Sequence, residues 1–328
     1  MAWAVVLILL ALAFVFYRDT VNQVLEGVRN LEVSKVSLCC LFAVVYYLCE
    51  GTILYKMGKL INPGYRWYNG FSVSYKCEFI RVLTMGTGAG VAEILFLQKD
   101  GIPAGKGTGL TLMQYALKRI TMMVIALAAF IFLCTKPVSG KVMSDYRLLI
   151  LGALAFSIVV SLVVSALAFS KKLNVLMNLL LDKLCQKFVT KKGLFEKWRE
   201  TMNQLNEAGL LYIHYPVLLI QILILNTVKM LSFYAIPGFI LMSSIGFIEG
   251  TLLMAVAFVS ATIIPSPSGV GALEFAFVSF FGAFVQQAEA ITSVLVYRFA
   301  TWIMPCIIGM ILFVVDGFRL KRGKKCIE

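Results

Sequence analysis

One short motif occurs twice in this chain, each time inside strongly apolar sequence. Gly88–Glu93 and Gly269–Glu274 both have the form G-x-G-x-x-E, and they lie 181 residues apart. Hydrocarbon tolerates glycine-broken backbone and a buried carboxylate only where they face protein or line a cavity. Duplicated elements of this kind are typical of transporter cores that are built from inverted repeats. The motif therefore predicts a membrane protein made of two related halves.

The same further features follow each copy of the motif. A glycine lies eight residues after each glutamate, at Gly101 and Gly282. A basic residue then lies deep in an apolar run, Arg119 in the first half and Arg298 in the second. The offset between the two arginines is 179 residues instead of 181, so two residues have been lost between the halves.

The composition excludes an ordinary soluble domain. Hydrophobic residues make up 60% of the chain, charged residues only 14%, and the mean hydropathy is +0.88. The eight cysteines lie mostly in apolar runs without C-x-x-C spacing, so we expect no disulfides, no metal site and no cofactor. In a polytopic protein the net charge of +13 reflects topology and anionic lipid headgroups, and it does not indicate nucleic acid as a partner.

The apolar runs predict an all-α polytopic membrane protein. A helix needs about 20 apolar residues to cross the hydrocarbon. The candidate spans are Ala2–Tyr17, Val36–Tyr55, Thr108–Cys134, Arg147–Phe169, Leu210–Ile236 and Ala288–Val315. The two motif regions, residues 71–97 and 251–282, are broken at their centres and suit re-entrant hairpins. With the spans that follow them they form repeat 1, about 71–134, and repeat 2, about 251–315, of a single integral-membrane domain.

The basic residues indicate the orientation of these spans. With the N-terminus in the cytoplasm, 18 of the 30 Lys and Arg residues fall on the cytoplasmic side, six outside and six at membrane depth. This three-to-one bias agrees with the positive-inside rule. We therefore expect both termini on the cytoplasmic side of the cell membrane. The first hairpin then enters from the cytoplasm and the second from outside, which makes the halves inverted repeats.

Two segments carry apolar stripes that suit a membrane surface. Residues 171–208 are rich in lysine and are expected to lie as an amphipathic segment on the anionic cytoplasmic leaflet. A solvated connector is the alternative. A second stripe, within residues 21–31, is expected at the outer surface.

The tips of the two hairpins are candidate sites for an anionic group. In the second tip, prolines and a glycine end one half-helix, and a serine can cap the next. The new half-helix would point its free N–H groups and positive dipole end at a phosphate or carboxylate. The alternative is that the small residues only permit close helix packing. The candidate tip residues are Gly88, Gly90, Ser266, Ser268, Gly269 and Gly271.

Charged residues at membrane depth form the second set of candidates. Glu93, Glu274, Lys118, Arg119 and Arg298 lie inside apolar segments, where an isolated charge costs ~3 kcal/mol or more. We expect each hairpin glutamate to pair with an arginine and to leave further cations for an anionic substrate, such as a phosphate diester. Burial favours the protonated form of a carboxyl group, so either glutamate could couple transport to a proton gradient. The alternative is that the pairs only hold the helices in register.

Other sequence features carry weaker signals. Further charges also lie inside apolar segments: Lys76, Glu78, Arg81, Glu50 and Lys229. Of these, Glu50 and Lys229 are weaker candidates because either could extend its charge to an interface. Gly101–Gly107 lacks the spacing and the Ser or Thr of a P-loop, and no G-x-S-x-G elbow occurs. His214 lies among tyrosines and is expected to be an interfacial residue instead of a catalytic base. The residues therefore predict no catalytic centre and no ATP-driven pump.

The second motif and the sequence after it resemble a known family. Pro265–Glu274, the glycine eight residues later, Val296–Phe299 and Pro305 are similar to the membrane region of lysylphosphatidylglycerol synthases, the flippase-like domain family. Gly88–Glu93 fits the weaker upstream motif of that family. Where the family usually has Pro-Gly-Gly, Ser268 takes the middle position here. The resemblance covers nearly the whole chain.

The resemblance implies that a lipid headgroup is moved between leaflets. In full-length family members this region translocates aminoacylated phosphatidylglycerol that an attached cytoplasmic synthase makes, which contributes to resistance against cationic peptides. The sequence contains no such synthase, so we expect a lipid flippase for phosphatidylglycerol or its lysyl derivative and no enzyme activity. Two alternatives stay open. One is a phosphatidylglycerol lysyltransferase, with or without a separate synthase partner, and the other is a non-transporting membrane anchor for a lipid-modifying enzyme.

Overall fold

The computed structural model of the chain describes residues 26, 29, 32–187, 192–264, 266 and 271–325. Its helices, in chain order, are α1 (Val33–Ile61), α2 (Trp67–Leu83), α3 (Ala89–Lys99), α4 (Ala104–Leu133), α5 (Pro137–Asp145), α6 (Arg147–Phe169), α7 (Lys171–Lys187), α8 (Lys192–Ile213), α9 (Pro216–Ile240), α10 (Met242–Ile245), α11 (Phe247–Ala261), α12 (Ala272–Phe281), α13 (Gln287–Arg298) and α14 (Met304–Lys325). A π-helical turn, Phe299–Ile303, joins the last two. The described residues form no strand, which confirms the all-α prediction.

In the described part of the chain, five helices are long and apolar enough to cross a membrane. They are α1, α4, α6, α9 and the continuous helix Gln287–Gly317 that contains α13. Four of them match predicted spans closely, but the span predicted to start at Leu210 begins later. The chain turns at His214 and Tyr215, and Pro216 starts α9, as expected because proline is favoured at the first position of a helix. The predicted span Ala2–Tyr17 and most of the 21–31 stripe lie outside the described residues.

The hairpin breaks come from local backbone geometry. After α2, Met85 and Gly86 take positive φ angles of 48° and 93°, and the Gly86 N–H donates to the Arg81 carbonyl at 2.8 Å. A left-handed end of this kind stops a helix and satisfies its last carbonyls. The Gly88 N–H then donates to the Thr84 hydroxyl at 2.9 Å, and α3 begins. In the second half α11 ends at Ala261, and α12 begins after Gly271, whose φ is 85°.

The two halves have the same order of elements and pack on each other reciprocally. Each consists of a half-helix, a break, a short helix, a turn and a long helix: α2, α3 and α4 in the first, and α11, α12 and α13–α14 in the second. The half-helix α2 packs against α14, and α11 packs against α4. Such an exchange is what two halves related by a pseudo-two-fold axis produce. The sides from which the hairpins enter the membrane stay predictions.

The similarity of the halves also includes the helix before each predicted repeat. α1 packs on α2 through Gly51 and Gly70, and α9 packs on α11 through Gly238 and Gly250. At each crossing a Cβ atom on the glycine would lie within 2.7 Å of the facing backbone, so no larger residue fits without a shift. Helices α1 and α9 also pack on each other. The larger apolar core lies among α1, α4, α6, α9, α11, α12 and α13, and the smaller among α1, α2, α4, α8 and α9.

The lysine-rich segment forms two helices, α7 and α8. Helix α8 packs against α4 and α6, and the Asn206 amide donates to the Leu167 carbonyl at 2.9 Å. Helix α7 contacts α8 and α6 but leaves apolar side chains exposed. These are Val175, Leu176, Leu179 and Leu180. An amphipathic segment is therefore present, while its place on a lipid surface stays a prediction.

Candidate substrate cavity

A cavity of about 330 Å³ lies between the two halves. Helices α1, α2, α4, α9, α11, α12 and α13 all contribute to its wall. Its charged lining residues are Glu78, Arg81, Lys118, Arg119 and Arg298, and its aromatic ones are Tyr46, Tyr47, Phe233, Tyr234, Phe258, Tyr297 and Trp302. Among the described residues, four cations thus face the space against one carboxylate. The reciprocal packing of the halves brings these residues together, because α2 and α4 come from repeat 1 and α13 from repeat 2.

Two of the four cations are neutralised by neighbouring carboxylates. The Arg81 Nη1 lies 2.6 Å from Glu78 Oε2, one helical turn away on α2. The Arg298 Nε lies 2.6 Å from Glu274 Oε1, and its guanidinium also lies 4.8 Å from the centre of the Trp302 ring. The pairing expected for Glu274 is therefore present.

Glu274 ties the second hairpin tip to the cavity. Its Oε2 accepts a hydrogen bond of 2.7 Å from the Gly271 N–H, while its Oε1 binds Arg298. Glu274 is the third residue of α12, where a carboxylate caps the free N–H groups and complements the helix dipole. One carboxylate therefore fixes the start of a half-helix and the position of a cavity-lining arginine.

The pairing expected for Glu93 is wrong. Its Oε1 accepts a hydrogen bond of 2.7 Å from the Thr111 hydroxyl, and the ion pairs found in the described part of the chain do not include it. Arg119 lies eight residues after Thr111 on α4, which places it about 12 Å further along the helix axis. The two residues lost between the halves would also turn an aligned side chain by about 200°. The repeated spacing in sequence therefore does not reproduce the pairing in space.

Lys118 and Arg119 are the cations of the cavity that tyrosines bind. The Lys118 Nζ donates to the Tyr46 hydroxyl at 3.0 Å, and the Arg119 Nε donates to the Tyr115 hydroxyl at 2.9 Å. Within the residues that the structure describes, neither cation has a carboxylate within 4.0 Å. The cavity consequently has two cations, Lys118 and Arg119, that no carboxylate of the described residues pairs.

Glu50 and Lys229 form a buried ion pair between α1 and α9. The Lys229 Nζ lies 2.5 Å from Glu50 Oε2, and the lysine side chain is 0% exposed. The Tyr46 ring covers the ammonium at 5.6 Å and stacks on Phe233 at a centroid distance of 3.6 Å. The interpretation that these two charges reach an interface is therefore wrong. They join the two equivalent central helices of the halves directly beside the cavity.

The remaining predicted site residues divide into three groups. Ser266 lines the cavity, and its hydroxyl has no hydrogen-bond partner among the described atoms. Gly88, Gly90 and Gly271 lie at the starts of α3 and α12 but not in the wall of the cavity. Gly90 is exposed, with open space where a Cβ atom would be. Ser268 and Gly269 lie outside the described residues.

The aromatic wall is the part of the cavity that the sequence did not indicate. Tyr46, Tyr47 and Tyr297 are buried around the charged groups, and the Tyr47 hydroxyl donates to the Thr301 carbonyl at 3.4 Å. Aromatic residues are common throughout this apolar sequence, so their identity alone does not mark a site. Glu78 and Arg81 were among the charges predicted at membrane depth, and their i, i+3 spacing on a helix was the available signal that they pair with each other.

Comparison with known proteins gives one family. A model of the family described as "Lysylphosphatidylglycerol synthase TM region" matches residues 1–309 of the chain. No curated protein matches it.

Proposed function

Because the chain belongs to the lysylphosphatidylglycerol synthase transmembrane-region family, we propose that it is a lipid flippase of the cell membrane. Its substrate would be an anionic or aminoacylated phospholipid of the phosphatidylglycerol or lysyl-phosphatidylglycerol type. The observation that carries the proposal is the unpaired positive charge of Lys118 and Arg119 inside a cavity that both halves build. A volume of about 330 Å³ is within the range of small-ligand sites, about 300–1,000 Å³.

A phosphate diester would complete the electrostatics of this cavity. Its oxygens would accept from Arg119 and Lys118, whose tyrosine hydroxyl partners are weaker competitors than a carboxylate. The free hydroxyl of Ser266 adds a donor from the second hairpin. The acyl chains would remain in lipid while the headgroup passes the cavity.

The same cavity also suits the cationic end of an aminoacyl headgroup. Glu78 is a carboxylate in the wall, and aromatic rings such as those of Tyr297 and Trp302 attract ammonium groups through their faces. An aminoacylated headgroup, which carries both a phosphate and ammonium groups, would then place its phosphate at the α4 cations and an ammonium group at the aromatic side.

Two further parts of the proposal concern coupling and membrane contact. Glu93 binds only a hydroxyl and lies in a hairpin, so it is the better candidate for a proton carrier than Glu274, which holds an arginine.

The exposed leucines of α7, together with Lys171 and Lys172, would rest on the anionic cytoplasmic leaflet, with a stabilisation of about 1 kcal/mol per nearby cation.

Headgroup accessibility in proteoliposomes tests the proposal. Purified protein is reconstituted with fluorescent phosphatidylglycerol or its lysyl derivative, and a membrane-impermeant quencher measures how fast inner-leaflet lipid becomes accessible. We expect rapid flipping by the wild type and at least a tenfold slower rate for Arg119→Ala. A tenfold slower rate corresponds to an activation free energy that is higher by about 1.4 kcal/mol. Lys106→Gln is the matched control, because this exposed cation lies on the same helix outside the cavity.

The alternatives give different results in the same preparation. A folded wild-type protein that flips neither lipid under any imposed gradient would contradict the proposal. Formation of lysyl-phosphatidylglycerol from aminoacyl-tRNA would favour the transferase. A stoichiometric partner that co-purifies, with no flipping by the protein alone, would favour the anchor.

A further inference from the structure

A second pocket, of about 530 Å³, lies at the end of α2 that points away from the hairpin tip. The start of α2, the end of α3 and one residue of α14 form it, and it shares no lining residue with the substrate cavity. We refer to it as the α2 pocket. It takes no part in the flipping mechanism proposed above, so it needs its own explanation.

The α2 pocket carries cations at its rim and one in its floor. Lys76 in the floor is only 4% exposed, and its Nζ lies 2.8 Å from Asp316 Oδ2. Arg66 and Lys99 at the rim are exposed, and no carboxylate of the described residues lies within ion-pair distance of either. With Asp100, the pocket contains three cations and two carboxylates, so an anion finds excess positive charge.

Hydrogen-bond donors complete the pocket. Ser72 is 2% exposed and lines it, yet its hydroxyl has no partner among the described atoms. A buried hydroxyl without a partner is unfavourable, so a ligand oxygen at this point would satisfy it. Ser72 lies near the start of the 17-residue α2, which begins after Arg66 without a side-chain cap. The positive end of a helix, a free hydroxyl and nearby cations together favour an anion.

We propose that the α2 pocket is a phosphate-binding site that takes the headgroup of a phospholipid from the adjoining leaflet. Two aromatic residues favour a lipid over a soluble anion. Tyr68, which lines the pocket, is 43% exposed, and Trp67, the residue before it, is 42% exposed. These residue types concentrate at the membrane–water interface. The phosphate would lie between Arg66, Lys99 and the Ser72 hydroxyl.

The position of the pocket relates it to the substrate cavity without making it depend on flipping. Lys76 in the α2 pocket and Arg81 in the cavity are five residues apart on α2, or about 7.5 Å along its axis. A phosphate held at Ser72 would lie nine residues from Arg81 on the same helix, or about 13.5 Å along its axis from this cavity residue. The binding itself requires only the local residues, so it goes beyond the proposed function.

Protection of Lys99 from chemical modification tests the site. The full chain is placed in phosphatidylcholine vesicles, treated with an amine-reactive reagent and analysed by mass spectrometry. We expect added phosphatidylglycerol to lower the labelling of Lys99 at least threefold and to leave Lys106 unchanged. Lys106 is an exposed lysine seven residues further on that lines a different pocket, so it reports any general effect of the anionic surface.

Variants and a soluble anion separate the outcomes. Ser72→Ala and Arg66→Gln should each abolish most of the protection, while Arg119→Ala should leave it intact even where flipping is lost. Inorganic phosphate that protects Lys99 as well as the lipid does would overturn the lipid headgroup as the ligand and retain the phosphate site. Equal labelling of Lys99 with and without either ligand would overturn the site itself, whatever the flipping assay shows.

Discussion

The two copies of the G-x-G-x-x-E motif differ in what their glutamates bind. In the second half, Glu274 holds Arg298 and the Gly271 N–H, so both of its oxygens accept strong hydrogen bonds. In the first half, the donor that Glu93 has among the described residues is the Thr111 hydroxyl, and the Lys118 and Arg119 cations of α4 bind tyrosines instead. In the second half the motif glutamate and the following arginine form an ion pair. In the first half the motif glutamate, Glu93, does not contact the cations Lys118 and Arg119.

This difference indicates a division of roles. A paired carboxylate and arginine that also cap a helix are suited to holding a hairpin in place, whereas unpaired cations beside a cavity are suited to binding an anion. We therefore propose that the second half mainly positions the hairpin and that the first half would make the main contacts with a phosphate. The predictions below test this comparison.

The largest effect is expected where the halves meet, at the Glu50–Lys229 pair. Lys229→Met leaves Glu50 as a buried charge without its partner, so we expect the free energy of unfolding to fall by about 3–5 kcal/mol. Replacing both residues, as in Lys229→Met with Glu50→Leu, should recover most of this loss. Unfolding in mixed detergent micelles measures the difference. A double variant as unstable as the single one would show that the pair does not act as a unit.

The next largest effect separates the two cavity arginines. Arg298→Gln removes the partner of a partly buried carboxylate and loosens the second tip, so we expect it to lower the free energy of unfolding by about 1–3 kcal/mol. Arg119→Gln removes only a bond to an exposed tyrosine and should change stability by less than about 0.5 kcal/mol. Both should slow flipping. Equal destabilisation by the two variants would remove the distinction between a positioning half and a binding half.

The sequence predicted the fold better than the site, for identifiable reasons. Long apolar helices such as α6 were placed at their observed bounds, because the length and hydropathy of a span are properties of the chain alone. The Glu274–Arg298 pair was also predicted. The Glu93 contact was not, since it depends on how α3 and α4 are rotated against each other, which a spacing of residues does not specify. The uncharged tyrosines of the cavity gave no signal against an aromatic-rich background.

The helix crossings provide a test in which the halves should behave alike. Gly51→Ala would place a Cβ atom 2.6 Å from the Phe71 Cα, and Gly238→Ala would place one 2.6 Å from the Phe247 carbonyl oxygen. Each change should therefore lower the free energy of unfolding by about 1–3 kcal/mol. Gly152→Ala on α6 is the control, because open space surrounds it, and alanine there should be neutral or slightly stabilising. If alanine were tolerated at only one of these two positions, the symmetry of the halves would not extend to α1 and α9.

The smallest effect concerns the outer ends of the half-helices, where the halves differ again. At the start of α11, Glu249 accepts a hydrogen bond from Ser139, whereas the start of α2 forms the cationic α2 pocket. The pocket has two carboxyl groups: Asp316 pairs with Lys76, and Asp100 lies close enough to Lys76, Lys99 and Asp316 to feel their charges. Burial raises the pKa of Asp100, and the two lysines only partly oppose this shift.

Asp100 therefore becomes neutral at a higher pH than an ordinary aspartate, and the pocket gains positive charge as the pH falls. The phosphodiester of a lipid stays anionic over the pH range in which Asp100 becomes protonated. Protection of Lys99 by phosphatidylglycerol, measured relative to the labelling of Lys106, should therefore increase about twofold when the pH is lowered through this range. Asp100→Asn should show the stronger protection at neutral pH and lose the pH dependence. If protection of Lys99 in the variant depends on pH as it does in the wild type, another group controls the charge of the pocket. The difference between the starts of α2 and α11 then does not depend on Asp100.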